Sequence, residues 1–74
     1  MGVLCELSVE GDMKTIWDAD NADEVDAAKA QFDKLKKKGY LAFKVKKDGE
    51  KGEMVNEFDP EAEKLILTPP VRGG

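Results

Sequence analysis

Only one segment of this chain carries helical periodicity, and its apolar stripe is narrow. Residues 21–38 open at Asn21, a good N-cap, with Glu24 three positions later as in a capping box. Asp23, Glu24 and Asp26 stand in the first turns and Lys34, Lys36, Lys37 and Lys38 at the end, where the helix dipole favours each sign. Gly39 follows as a C-terminal stop. Val25, Ala28, Phe32 and Leu35 recur at helical spacing and form one stripe. Such a stripe covers one face of a sheet and supports no second core, so the rest of the chain has to supply that sheet.

Short runs of strand character surround the helix. Residues 3–9 read as a strand with Val3, Cys5, Leu7 and Val9 on one face and Glu6 and Ser8 on the other. Glu10-Gly11-Asp12 gives turn chemistry, and residues 13–18 read as a second strand. Met13, Thr15 and Trp17 share one side of it and Ile16 takes the other. Residues 40–46 alternate again, with Leu41, Phe43 and Val45 on the expected core side and Ala42, Lys44 and Lys46 opposite. Asp48-Gly49 signals a hairpin, residues 50–52 a mobile connection and residues 54–58 a weak strand. Asp59-Pro60 opens a turn, and Leu65-Ile66-Leu67 in residues 64–68 suits a strand buried on both faces. Pro69-Pro70 ends it. The order strand-strand-helix-strand-strand-strand predicts one α+β domain over residues 1–68, with one helix across a mixed sheet and a flexible tail over 69–74. The most apolar strands, the first and last, are expected side by side and parallel at the sheet centre.

Composition removes several classes of function. The chain has 74 residues, no histidine and one cysteine, Cys5. Neither a Ser-His-Asp nor a Cys-His centre can form within it, nor an internal disulfide, nor a zinc cluster of the usual kind. No cofactor is expected. No run approaches the ~20 apolar residues that span a bilayer, and residues 1–20 lack the pattern of a signal peptide, so the expectation is a soluble cytoplasmic protein without a membrane partner. The net charge of −4 is strongly partitioned. Residues 1–28 hold eight acids and one lysine, residues 29–51 nine lysines and three acids, and residues 52–74 five acids, one lysine and one arginine. Lys36, Lys37, Lys38, Lys44 and Lys46 in the basic middle are candidates for a partner-facing surface. Equally, lysines of this kind solubilise helix ends and exposed strand faces.

The last residues are Arg72-Gly73-Gly74. Glycine has no side chain to obstruct a narrow channel and accepts backbone angles closed to other residues. With the element order above, this end resembles that of ubiquitin and its relatives, which share the β-grasp fold. The resemblance covers the whole chain in element order; its specific motif is Arg72, Gly73 and Gly74. It implies a small, monomeric, non-enzymatic protein modifier. An ATP-dependent adenylating enzyme activates the Gly74 carboxylate, a conjugating enzyme or tail-processing protease takes part, and target lysines receive the tail through an isopeptide bond. In the sulfur-carrier branch of the family the carboxylate becomes a thiocarboxylate instead. The chain also resembles a group of short prokaryotic proteins that carry Trp-Asp, Phe-Asp-Pro and Pro-Pro before a terminal Gly-Gly, here Trp17-Asp18, Phe58-Asp59-Pro60 and Pro69-Pro70. No activity carries over from that group.

Other constellations lead elsewhere. The chain also reads as a small adaptor or mobile-element protein that acts only by protein binding, with Gly-Gly an incidental frayed end. The lysines with Tyr40 and Phe43 nearby form a possible nucleic-acid patch, though the chain has one arginine, the usual base reader. Asp18, Asp20, Asp23, Glu24 and Asp26 are an oxygen-rich cluster that helix capping explains as well as calcium binding. Trp17 and Cys5 are expected in the core. Met54, Phe58 and Val71 are a candidate exposed apolar contact.

Overall fold

The computed structural model of the protein describes residues 1–8, 10–45 and 52–70. Its elements follow the expected order: β1 (Gly2–Glu6), β2 (Met13–Trp17), α1 (Ala22–Lys37), β3 (Leu41–Val45), β4 (Glu53–Val55) and β5 (Lys64–Thr68). They form one five-stranded sheet in the order β2-β1-β5-β3-β4 with α1 packed on one face. β1 and β5 run parallel, with Leu4 opposite Leu65 and Cys5 opposite Ile66; every other pairing is antiparallel. The parallel pair needs a long crossover, and α1 lies within it. The protein is a small α+β domain of one helix on a mixed sheet.

Both ends of α1 are closed by the residues the sequence offered. Asn21 Oδ1 accepts from the backbone N–H of Asp23 and of Glu24 at 3.1 and 3.2 Å. Glu24 reaches back, but past Asn21. Its Oε1 accepts from the backbone N–H of Asp18 at 2.9 Å, and its Oε2 from Asn21 Nδ2 at 3.2 Å. The Asn21 N–H is already used, donating to the Asp18 carbonyl at 2.8 Å. At the far end Gly39 takes φ 93°, a conformation a side chain would strain. The Tyr40 N–H reaches the Leu35 carbonyl and the Gly39 N–H the Lys36 carbonyl, the double closure of a Schellman motif.

The core lies between α1 and one sheet face: Leu4, Trp17, Ala28, Phe32, Leu35, Ala42, Leu65 and Leu67, with Ala62 from the loop before β5. Two strand faces are the reverse of expectation. In β1 the residue against the helix is Leu4, fully buried, and Val3 and Cys5 point to the opposite face. Glu6 suggests the wrong parity because it lies on the helix side, where it accepts from Gln31 Nε2 at 3.0 Å. In β3 the buried residue is Ala42, while Leu41, Phe43 and Val45 point away from the helix. The first strand is also shorter than residues 3–9, ending at Glu6. The weak strand over 54–58 is β4, three residues long, and Phe58 folds back into the core instead.

Trp17 is the largest buried side chain. Its Nε1–H donates to the Pro60 carbonyl at 3.0 Å, and its ring lies 5.0 Å from that of Phe58, which also meets the edge of Phe32 at 5.9 Å. Gly2 pairs directly with Trp17 across the β1–β2 ladder, and a Cβ there would overlap the indole. Gly2→Ala is therefore expected to displace the ring and cost about 1–3 kcal/mol, as overpacking does. A urea midpoint equal to wild type would show that the indole has room to yield.

Candidate functional site

The candidate tail residues Arg72, Gly73 and Gly74 lie outside the described residues, as does Lys46. What the structure positions is the strand before them. β5 sits at the centre of the sheet and ends at Thr68, after which Pro69 and Pro70 are exposed. Pro70 stands beside Gly39: a Cβ on that glycine would lie 3.6 Å from the Pro70 side chain. The chain therefore leaves the sheet at the C-terminal end of α1, where Lys36, Lys37 and Lys38 stand in the last turn and cap. Lys37 and Lys38 are exposed and Lys36 is half-buried.

Lys44 is placed differently from the helix-end lysines. It shares the helix side of β3 with Ala42, and its Nζ meets Asp59 Oδ2 at 3.0 Å. Phe43 points to the opposite face, so strand alternation separates the aromatic ring from the amine that the nucleic-acid reading joined to it. Tyr40 packs against the core. The expected contact of Met54, Phe58 and Val71 does not assemble: Met54 is on the open face of the sheet, Phe58 is held between Trp17 and Phe32, and Val71 lies outside the described residues. The acidic residues before and within α1 act as caps. Asp18 Oδ1 accepts from the Asp20 N–H, and Glu24 holds the turn as described. Among the described residues no group of three or more acidic or cysteine side chains is arranged to hold a metal ion. No described helix is long and apolar enough to cross a membrane.

The structure exposes a surface that the sequence reading divided wrongly. Among the described residues no element covers the sheet face away from α1, and its strand register brings apolar side chains into two rows. Cys5, Ile66, Phe43 and Met54 form one row across four strands; Ile16 and Val3 begin the next, which continues through Lys64 to Val45. Ile16 and Met54, at the two edges, are each 57% exposed. Cys5 is buried, as expected, but under this open face and outside the core cluster. Ile16 opposite Trp17 was the visible signal of this face; the inverted parity of β1 and β3 hid the rest.

No protein-family model matches the chain, and no curated protein or solved structure matches it. The geometry of the chain is thus the basis for its function.

Asp59 is the electrostatic anchor near this region. The Lys44 amine, then the backbone N–H of Glu61 at 2.9 Å, hold its carboxyl below the ordinary aspartate range. A depressed folded-state pKa stabilises the fold at pH values above the unfolded value of about 3.9, and that contribution is lost as pH falls through the lower folded value. The gap in urea midpoint between wild type and Asp59→Asn should therefore be open at about pH 6 and close as pH falls through the lowered folded value. A gap that persists in acid would assign the effect of the variant to packing rather than charge.

Proposed function

We propose that the chain is a ubiquitin-like protein of the β-grasp type, a modifier or sulfur carrier whose Gly74 carboxylate is worked on by a partner enzyme. The observation that carries this reading is the strand order β2-β1-β5-β3-β4 with β1 parallel to β5. It makes the last strand the central one and hands Pro69 and Pro70 off the end of the sheet, beside the helix terminus. Gly73 and Gly74 suit passage through a narrow channel, and Arg72 offers a cation for an acidic partner. In the proposed sequence the Gly74 carboxylate, final as it stands or freed by a protease, attacks the α-phosphate of ATP and expels pyrophosphate. A cysteine thiolate of the partner displaces AMP to give a thioester. A target lysine amine then displaces that thiol and forms an amide. In the carrier variant hydrosulfide supplied by a sulfur-donor partner displaces AMP instead, loses its proton and leaves a thiocarboxylate. After the Gly74 carboxylate itself, the later nucleophiles and the nucleotide site belong to partners, which agrees with a chain that lacks histidine.

Trypsin tests this directly, because it cuts after Arg72 and would leave Gly73-Gly74 on the acceptor amine. The chain, tagged at its N-terminus and expressed in its own host, should yield diglycine-bearing lysines, or a thiocarboxylate at Gly74, on mass spectrometry. Deleting Gly74 should abolish both. Absence of both products from the intact chain overturns the reading.

A second reading is favoured by the bare sheet face. The protein then acts as an adaptor by binding alone, and removing Gly73 and Gly74 leaves its function intact.

A further inference from the structure

We propose that Pro69 and Pro70 form a stiff launching arm: they hold the chain off its own sheet beside Gly39 and set how far from the fold the Gly74 carboxylate reacts. This rests on the Gly74 reading and adds where the partner's nucleotide pocket has to open. Register, donor direction and reach carry it.

In the β3–β5 ladder Ala42 stands opposite Leu67 and Leu41 opposite Thr68. Continued by two residues, that register sets Pro69 across from Tyr40 and Pro70 across from Gly39. The Pro70 side chain is found there, 3.6 Å from where a Gly39 Cβ would lie. The chain thus keeps the line of β5 past its last paired residue. Gly39 takes φ 93° to close α1 and so presents bare backbone to the ring.

Strand geometry gives the second proline a purpose. Successive residues of a strand turn their backbone groups to opposite neighbours. The Glu63 carbonyl accepts from the Val3 N–H at 3.1 Å and the Leu67 carbonyl from the Leu7 N–H at 2.9 Å, so the odd-numbered residues of this stretch face β1. An N–H at position 69 would therefore be offered to the β1 side and one at position 70 to the β3 side. Proline has no such donor. One proline would close one ladder and leave the other able to take up the chain; the pair closes both. Each ring also holds φ near about −65°, and a residue before proline is kept extended, which applies to Thr68 and to Pro69. The arm takes its direction from ring geometry and not from ladder bonds.

Reach follows by counting. Four residues, 71–74, lie beyond Pro70. Fully extended they span at most about 14 Å, against about 21 Å for six residues released at Thr68. The partner's nucleotide pocket then opens within about 14 Å of Pro70. It is approached from the end of the sheet where α1 stops and Lys37 and Lys38 are exposed. The prolines are positioning residues. They fix in advance two residues that the partner would otherwise have to order, and they take no part in the acyl chemistry.

The test titrates the full chain, tagged at its N-terminus, into ATP-supplemented lysate of its own host. The Gly74 product is read by mass spectrometry, as diglycine-bearing lysine after trypsin or as thiocarboxylate. Pro69→Gly with Pro70→Gly should raise the half-saturating concentration at least about fourfold and leave the maximal rate unchanged. Inserting two glycines between Pro70 and Val71 keeps the Gly39 seat and should give the same rise. Both variants should keep the urea midpoint of the unaltered chain. In the unaltered chain, nuclear Overhauser contacts should join the Gly39 Hα protons to the Pro70 ring.

Product formed with the same half-saturation in both variants overturns this proposal alone. So does a rise confined to the proline variant, which makes the rings a contact for the partner rather than a support for the arm. A lower maximal rate at unchanged half-saturation overturns it by moving the prolines into the chemical step, and missing Gly39–Pro70 contacts overturn it by removing the seat. No product from the unaltered chain overturns the Gly74 reading and this proposal with it, so the two failures are distinguishable.

Discussion

The fold depends on the burial of one indole. Trp17 ends an edge strand that pairs on one side with β1 alone, and its ring is fully enclosed. Gly2 makes room beneath it, Phe58 packs against it, and the Pro60 carbonyl receives its N–H. Removing an aromatic side chain of 150–250 Å² from water contributes about 4–6 kcal/mol before chain entropy is counted. That is as large as the whole net stability of many domains near this size. The carbonyl adds a smaller contribution to the packing, since a buried N–H without an acceptor costs about 1–3 kcal/mol. The contact joins residues 43 positions apart, and so fixes the loop before β5 against β2, the edge strand.

Phe58, Asp59 and Pro60 form that loop's grip, each by a different interaction. Phe58 supplies the ring that bridges Trp17 and Phe32. Asp59 binds Lys44 with one oxygen and the Glu61 N–H with the other, and its own carbonyl accepts from Ala62 at 3.0 Å to close the turn. Pro60 presents its carbonyl to the indole. The tripeptide and Trp17-Asp18, the motifs on which the resemblance to short prokaryotic proteins rested, have an architectural role here: Asp18 receives the Asn21 and Asp20 N–H groups at the entry to α1.

The helix was the most legible element because its information is local. Asn21, the acidic first turn, the apolar stripe and Gly39 all act within a few residues of one another, and each does what its type dictates. The parallel pairing of β1 with β5 was also legible, from the apolar character of both. Strand parity was not. A one-residue error moves every side chain of a strand to the other face, and both β1 and β3 carry apolar residues on each side. Two charged residues misled in the same way: Glu6 and Lys44 lie on the helix side but near its margin, where Gln31 and Asp59 satisfy them. Size misled too, since Ala42 fills its place in the core with one methyl group while the bulkier Phe43 faces outward. The candidate lysines were legible as a run and not as a surface, because periodicity alone cannot say that Lys44 already has a partner.

One helix among the described residues leaves the second sheet face without a described cover. A sheet has two faces, and one narrow stripe covers one of them. A chain of this size meets the remaining face either with polar side chains, as antiparallel sheets commonly do, or with something from outside the domain. This chain places Ile16, Val3, Ile66, Phe43 and Met54 there, where a fold alone would be content with threonine and lysine. Contiguous apolar surface of this kind invites association with other copies. Lys14 and Lys64 interrupt the rows, where a facing copy would bring like charge or apolar side chains against them.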